Sequence, residues 1–157
     1  MNIFYLSTDP KKAAQMMYNK HVVKMILESA QLLCTAHVIS DGENADVPYK
    51  VTHKNHPSAI WARESKSNYK WLYDHMIALG EEYTRRYGKK HLTITKCEDV
   101  LSNIPGGMLN IGATPMPQCM PDEYKVQGDS LQSYRNYYIG AKKTMAKWKN
   151  RPIPEWW

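Results

Sequence analysis

Apolar residues recur every three or four positions along most of the chain, which is the period of an amphipathic helix. The clearest apolar stripes are Val22, Ile26, Ala30 and Leu33 in one segment and Leu72, Met76, Leu79 and Tyr83 in another. Capping residues predict helix starts at five places: Asp9-Pro10, His56-Pro57, Ser65 or Ser67, Thr95, and Asp129 or Ser130. The predicted helix ends lie near Val38, Tyr87, Ser102 and Trp148. Only Ile3–Leu6 suggests a short extended piece.

A long segment without helical periodicity covers residues 103–128, which contain four prolines and four glycines. Its methionines, Met108, Met116 and Met120, predict that it packs on the body of the protein. The two tryptophans that end the sequence RPIPEWW predict that this tail folds back onto the core. Together these features predict an all-α fold: one compact domain over residues 1–157, a bundle of about four helices with this irregular segment.

The amino-acid composition favours a small soluble protein in a reducing compartment. No unbroken apolar run approaches the roughly 18–20 residues of a membrane span. The first residues lack the basic and apolar regions of a signal peptide. Three cysteines, Cys34, Cys97 and Cys119, have neither paired nor metal-type spacing. We therefore predict a cytoplasmic protein without membrane contact.

Positive charge is concentrated in two stretches. The net charge is +6; residues 50–96 hold ten Lys and Arg against four acids, and residues 129–157 hold six against two. Clustered positive charge favours a phosphate-bearing partner, so DNA or a nucleotide is predicted. An ordinary solvated basic surface is the alternative, and the oligomeric state is left open.

One candidate site lies on the first predicted helix. His21, Lys24 and Glu28 follow one another at spacings of three and four, so they share one helix face. Such a face offers a proton carrier, a cation and a carboxylate. The alternative is a solvent-exposed face with a Lys–Glu ion pair that contributes little to stability.

A second candidate site surrounds the predicted helix start at His56. Its polar or aromatic members are His53, Lys54, Asn55, His56, Trp61, Arg63 and Glu64. The free N–H groups of a helix start favour an anion. Alternatively, His53 and Asn55 only satisfy backbone groups of the turn. A zinc site of His53, His56 and His91 is disfavoured because the first two straddle the helix start, so neither metal nor cofactor is predicted.

Three motifs resemble a known family. They are Lys20-His21-Val22-Val23-Lys24, Asn55-His56-Pro57, and the segment 83–88 with the sequence YTRRYG. These are similar to motifs of the pyrimidine-dimer DNA glycosylase family, also called endonuclease V, over residues 1–92. The resemblance implies a small, basic, all-helical enzyme that flips a base from damaged DNA. It further implies glycosidic cleavage through a Schiff base on the N-terminal α-amine, assisted by a Glu on the first helix.

The chain departs from this family at two points. The catalytic Glu of the family falls at His21, and Met1 precedes Asn2, a residue large enough for the initiator Met to be retained. The elements MNIFYL, KHVVKM and MPDEY also resemble small uncharacterised bacteriophage proteins. That second resemblance implies a phage origin and therefore the host cytoplasm.

We interpret the polar segments around His21 and His56 as one active or binding site for a nucleic acid or nucleotide. These observations predict an enzyme that attacks a glycosidic or modified-base centre of DNA or a nucleotide. The predicted catalytic residues are His21 as general acid or base, Lys24 as cation or desolvated amine nucleophile, His56, and Glu64. The predicted substrate-binding residues are Asn2, Lys20, His53, Lys54, Asn55, Trp61 as a wall for an extruded base, Arg63, and Tyr124 as a residue that closes the pocket. Two alternatives stay open: a phage-type protein that sequesters a nucleotide without turnover, and a metal-dependent hydrolase.

Overall fold

A computed structural model describes residues 2–157, and within them every regular element is helical. The helices are α1 Pro10–Gln15, α2 Asn19–Asp41, α3 Pro57–Glu64, α4 Lys66–Tyr87, α5 Leu92–Leu101 and α6 Ser130–Ala141, with two single-turn 3-10 helices at Asp122–Tyr124 and Lys143–Met145. The predicted all-α class is confirmed. Six α-helices in this part of the chain replace the predicted four or so, and Ile3–Leu6 pairs with no strand.

The predicted continuous helix from residue 10 to residue 38 is wrong, because the chain breaks between α1 and α2. Arg86 of α4 donates from Nη1 to the Met17 carbonyl at 2.7 Å and from Nη2 to the Gln15 carbonyl at 3.0 Å. The Trp148 indole donates to the Met16 carbonyl at 2.8 Å. These distant donors satisfy the carbonyl groups that the break leaves without helical partners.

Most predicted helix starts are confirmed by their caps. Asp9 accepts from the Lys11 N–H, His56 Nδ1 from the Ser58 N–H, and Ser65 from the Asn68 N–H. The α5 start after Thr95 is wrong, because His91 caps the helix four residues earlier and Nδ1 of His91 accepts from the Thr93 N–H.

The predicted end of α6 near Trp148 is also wrong, since the helix ends at Ala141. Beyond Ala141 the chain forms the 3-10 helix Lys143–Met145, and the backbone that follows it caps the start of α2. The Lys147 carbonyl accepts from the Asn19 N–H at 2.8 Å, and the Lys149 N–H donates to Asn19 Oδ1 at 2.8 Å.

Helix α2 forms the centre of the hydrophobic core and packs against α3, α4 and α5. An 18-residue window of α2 has a mean hydropathy of 1.4, so by length and composition alone this helix could also cross a membrane, although it contains no unbroken apolar run of that length. Its apolar window is 61% buried inside the protein, as in the core helix of a globular domain.

The irregular segment and the C-terminal tail pack as predicted. Met108 and Met116 are buried, and Met120, Trp156 and Trp157 are partly buried against the core. Arg151 anchors the tail through a bidentate contact with Glu82, which also pairs with Arg86. The extent of the domain, residues 1–157, stays a prediction.

Candidate functional site

A cavity of about 350 Å³ brings together His21 and His56, the centres of the two segments that we interpreted as one site. It is lined by Asn2 and Phe4 of the starting segment, His21, Lys24, Met25 and Glu28 of α2, His56 at the start of α3, Cys119 of the irregular segment, and Tyr137 and Lys142 at the end of α6. Of the predicted catalytic residues, His21, Lys24 and His56 share this cavity. It is also the place where the start of the chain meets α2.

Asn2 anchors the start of the chain at this cavity. Its Oδ1 accepts from the N–H groups of Ile3 at 2.7 Å and Phe4 at 3.2 Å, and its Nδ2 donates to the Cys119 carbonyl at 2.8 Å. These bonds hold Phe4 at a φ of 57°, a left-handed conformation that is uncommon for a residue with a side chain. The α-amine of Met1, the nucleophile that the family resemblance implies, lies outside the described residues.

His21 is the most enclosed polar side chain of the cavity, with only 5% of its surface exposed. Its ring stacks on Phe4 at a centroid distance of 4.2 Å, and Nδ1 lies 2.7 Å from the Tyr138 hydroxyl. Burial, together with the positive charges of Lys142 and Lys24, lowers the pKa of His21 to about 4. The imidazole is therefore neutral at physiological pH.

The remaining charged groups of the cavity are two lysines and one carboxylate. Lys24 is exposed, so it lacks the desolvation that we invoked for a reactive amine. The Lys142 ammonium lies 5.0 Å from the centre of the Tyr137 ring and 5.9 Å from that of Phe4, within the range of cation–π attraction. Glu28, half-buried, stands one turn of α2 beyond Lys24.

His56, at the start of α3, lines the cavity, and one of its ring nitrogens already accepts a hydrogen bond from the backbone. Its Nδ1 accepts from the Ser58 N–H at 3.0 Å, so its role as helix cap leaves Nε2 for another partner. Burial lowers the pKa of His56. A neutral His56 can hydrogen-bond a ligand but contributes no positive charge at neutral pH.

The loop before His56 and Lys20 of α2 lie outside the cavity lining. His53, Lys54 and Asn55 are exposed, and His53 Nδ1 bonds to the Thr52 hydroxyl at 2.7 Å. Lys20 is exposed one turn before Lys24. None of these four predicted residues lines the cavity.

Of the other predicted residues of α3, Trp61 and Glu64 contact the irregular segment, and neither they nor Arg63 line the cavity. Trp61 is 4% exposed, and its indole donates to the Thr114 carbonyl at 2.9 Å, so it has no free face for an extruded base. Glu64 accepts from the Thr114 hydroxyl at 2.7 Å. Arg63 is half-buried, and burial lowers its pKa. Their short helix turns one side to the core, which the sequence pattern did not show.

Tyr124 lies behind the cavity wall and does not line it. Its ring stands 5.4 Å from that of Tyr137 and packs over Gly140 of α6. The predicted closing residue therefore supports the wall through Tyr137.

Sequence reasoning missed Phe4, Met25, Cys119, Tyr137 and Lys142 in this site. Lys142 was visible only as one of the six basic residues among positions 129–157, and nothing local to Phe4, Met25, Cys119 or Tyr137 points to a pocket. Among residues 2–157 no group of three or more His, Cys, Asp and Glu side chains is arranged to hold a metal ion.

Comparison with known proteins identifies the family of the chain. Residues 1–95 match the family described as pyrimidine dimer DNA glycosylase. No curated protein and no solved structure gives a significant match. The matched part supplies Asn2, His21, Lys24, Glu28 and His56 to the cavity. Because the match covers more than half of the 157 residues, the chain belongs to the pyrimidine dimer DNA glycosylase family.

Proposed function

We propose that this protein is a DNA glycosylase that uses an amine at the cavity to replace the damaged base, and then acts as a lyase. Family membership implies DNA as the substrate. The observation that carries the proposal is the shared cavity, in which Asn2, beside the chain start, lies together with Glu28 and the amines of Lys24 and Lys142.

The chemistry needs a neutral amine and a carboxylate. The amine nitrogen attacks C1′ of the target nucleotide, the C1′–N bond to the base breaks, and the base leaves with the bonding electrons and gains a proton. Opening of the sugar ring then gives a Schiff base at C1′. The α-amine of the chain start is our first candidate, because the family resemblance implies it, and Lys24 is the second.

Glu28 is our candidate for the assisting carboxylate. The motif alignment put the Glu of the family at His21, a residue that is neutral in this chain. Glu28 lies two turns further along α2 and lines the same cavity. A carboxylate there can accept the amine proton and stabilise the positive charge that develops at C1′.

The two lysines and the aromatic side chain of the cavity are suited to bind the DNA phosphates and the extruded base. Lys24 and Lys142 supply positive charge for the flanking phosphates. An enzyme that acts on a base of duplex DNA must take that base out of the stack. Half-buried Tyr137, instead of Trp61, supplies the aromatic surface beside the cavity.

Borohydride trapping tests the proposal directly. The protein is incubated with ultraviolet-damaged DNA and with abasic-site DNA, and adducts are mapped by mass spectrometry. We expect an adduct on the α-amine; an adduct on Lys24 would make that residue the nucleophile. Glu28→Gln should lower the rate of base release by at least ~100-fold, the scale expected for loss of general acid–base catalysis.

Two control variants separate the candidate amines. Lys24→Arg keeps the charge and removes the reactive amine, so it should leave trapping intact. One residue added before Met1 moves the α-amine by about 3.8 Å and should abolish trapping. Absence of any adduct or strand cleavage with either DNA would overturn the glycosylase proposal and favour a protein that binds nucleotides without turnover. A phage origin and a cytoplasmic location stay predictions.

A further inference from the structure

The hydrogen bonds around Tyr138 determine which nitrogen of His21 carries the proton. Tyr138 is fully buried, and burial keeps its hydroxyl protonated by raising its pKa. The Tyr18 N–H donates to the hydroxyl oxygen at 3.4 Å, so that contact cannot receive the hydroxyl proton. The remaining neighbour within hydrogen-bond distance among the described residues is His21 Nδ1, at 2.7 Å. The Tyr138 hydroxyl must therefore donate to Nδ1, which makes Nδ1 an acceptor.

A neutral imidazole whose Nδ1 accepts a hydrogen bond carries its proton on Nε2. His21 is kept neutral by its surroundings: the Phe4 ring covers one face, and the ammonium groups of Lys24 and Lys142 oppose a positive charge. Glu28 and His56 line the same cavity. No hydrogen bond joins Nε2 of His21 to any of residues 2–157.

We propose that Tyr138 is a positioning residue that holds His21 as the Nε2–H tautomer, and that His21 is a neutral hydrogen-bond donor to an oxygen of the target nucleotide. The inference deepens the proposed glycosylase function and rests on it. It replaces the predicted role of His21 as a general acid or base. A neutral donor suits an oxygen that gains negative charge as the base departs, because a fixed N–H needs no reorganisation during the reaction.

The buried tyrosine pair makes this arrangement rigid. The rings of Tyr18 and Tyr138 stack at a centroid distance of 4.0 Å, and the Tyr18 hydroxyl donates to the Tyr138 carbonyl at 2.7 Å. Both tyrosines are fully buried, so water does not compete for the Tyr138 hydroxyl. The donor to Nδ1 is therefore available before substrate binds.

Nitrogen-15 NMR of labelled protein, recorded without DNA at pH 7, measures the tautomer. We expect Nε2 of His21 to be protonated and Nδ1 to be bare. Tyr138→Phe should remove the preference for Nε2–H and lower the single-turnover rate of base release by about 10-fold, the effect of one hydrogen bond. If Tyr138 were only structural, that variant would lose stability while the His21 signals kept their pattern.

A pair of amide substitutions tests the donor role. The Gln amide nitrogen reaches the position of Nε2, whereas Asn reaches only that of Nδ1. We expect His21→Gln to keep the rate of base release within about 10-fold and His21→Asn to lose at least about 100-fold. Equal losses in the two variants, with disappearance of an acidic limb from the pH–rate profile, would show that His21 works as a base.

Experiment can contradict the proposed tautomer of His21 and the proposed glycosylase activity independently of each other. An Nδ1–H or doubly protonated His21 in a protein that processes dimer DNA would overturn this inference and leave the glycosylase proposal standing. An Nε2–H tautomer in a protein that leaves dimer DNA and abasic-site DNA intact would overturn the glycosylase proposal, and the donor role with it.

Discussion

Each of the six histidines uses at least one ring nitrogen for a hydrogen bond within the fold. His21 bonds Tyr138, His37 bonds Tyr69, His53 bonds Thr52, His75 bonds the Pro10 carbonyl, and His56 and His91 cap helices. Burial lowers the pKa of both His21 and His75 to about 4. The sequence showed the positions of the histidines, but only their surroundings in the fold determine that the buried ones are neutral at physiological pH.

The buried histidines predict a stability that depends on pH. Their folded pKa values lie below the unfolded value near 6.5, so the unfolded chain binds more protons between pH 6.5 and pH 4. The stabilisation is fully present above pH 6.5 and is lost as the pH falls towards 4. For fully buried His75 the loss is on the order of 3 kcal/mol.

Denaturant unfolding at several pH values measures this effect. His75→Phe should flatten the decline of the unfolding free energy between pH 6.5 and pH 4. His53→Gln, a change at an exposed site, should follow the wild type. An unchanged pH slope in His75→Phe would contradict the assignment.

At the scale of elements, single long-range contacts decide where helices stop and how closely they approach. Arg86, 1% exposed, bonds the carbonyl groups at the α1–α2 break and pairs with Glu82 on its own helix. Gly80 of α4 lets α5 approach so closely that a Cβ there would lie 2.7 Å from Ile94 Cγ1. Neither function is visible in the helical pattern of α4.

Helix propensity and tertiary packing predict opposite effects of Gly80→Ala on the free energy of unfolding. Helix propensity alone predicts stabilisation by about 1 kcal/mol, because Ala is the better helix former. The contact with Ile94 predicts a net loss instead, of about 1–3 kcal/mol, since a packed interface tolerates added atoms poorly. Unfolding free energies from urea titration decide between the two signs.

The double variant Gly80→Ala, Ile94→Ala provides the control, because it removes the opposing side-chain atoms. The cost of the Gly80 change should then disappear, which is a non-additive result expected of residues in contact. Gly106→Ala, at a site open to solvent, should be close to neutral. If the effects of Gly80→Ala and Ile94→Ala on the unfolding free energy were additive, a clash between the new Cβ and Ile94 would be excluded as the cause.

At the scale of the whole molecule, the cavity is assembled from parts distant in the chain. The segment of Asn2 and Phe4, helix α2, the start of α3, Cys119 and the end of α6 meet there. Residues 1–95 match the family, whereas Cys119, Tyr137, Tyr138 and Lys142 come from beyond that match. The C-terminal part therefore completes a site whose other half carries the family pattern.

Positive charge at this cavity predicts salt-dependent binding of DNA. Each lysine that neutralises a phosphate releases a counterion, so the logarithm of the affinity falls linearly with the logarithm of the salt concentration. Lys142→Ala should weaken binding and reduce the magnitude of this slope by about 1. Fluorescence anisotropy of a labelled duplex at several salt concentrations measures it.

Lys70→Ala is the matched control, because Lys70 is paired with Asp74 at 3.1 Å and Asp74 belongs to an acidic cleft elsewhere on the protein. The slope should not change in that variant. Equal effects of the two substitutions would indicate binding by net charge alone, without a role for the cavity.

The sequence by itself determined the all-α class, most helix starts and the family, because these depend on caps, apolar stripes and motifs among residues close in the chain. It also placed His21, Lys24 and His56 among the candidates. Only the tertiary structure decided that these three share a cavity, that Trp61 is buried in the core, and that Tyr138, 117 positions away, bonds His21. The physical reason is that a cap or stripe is completed within one or two helical turns. A cavity, a buried histidine and a broken helix depend on which distant surfaces pack together.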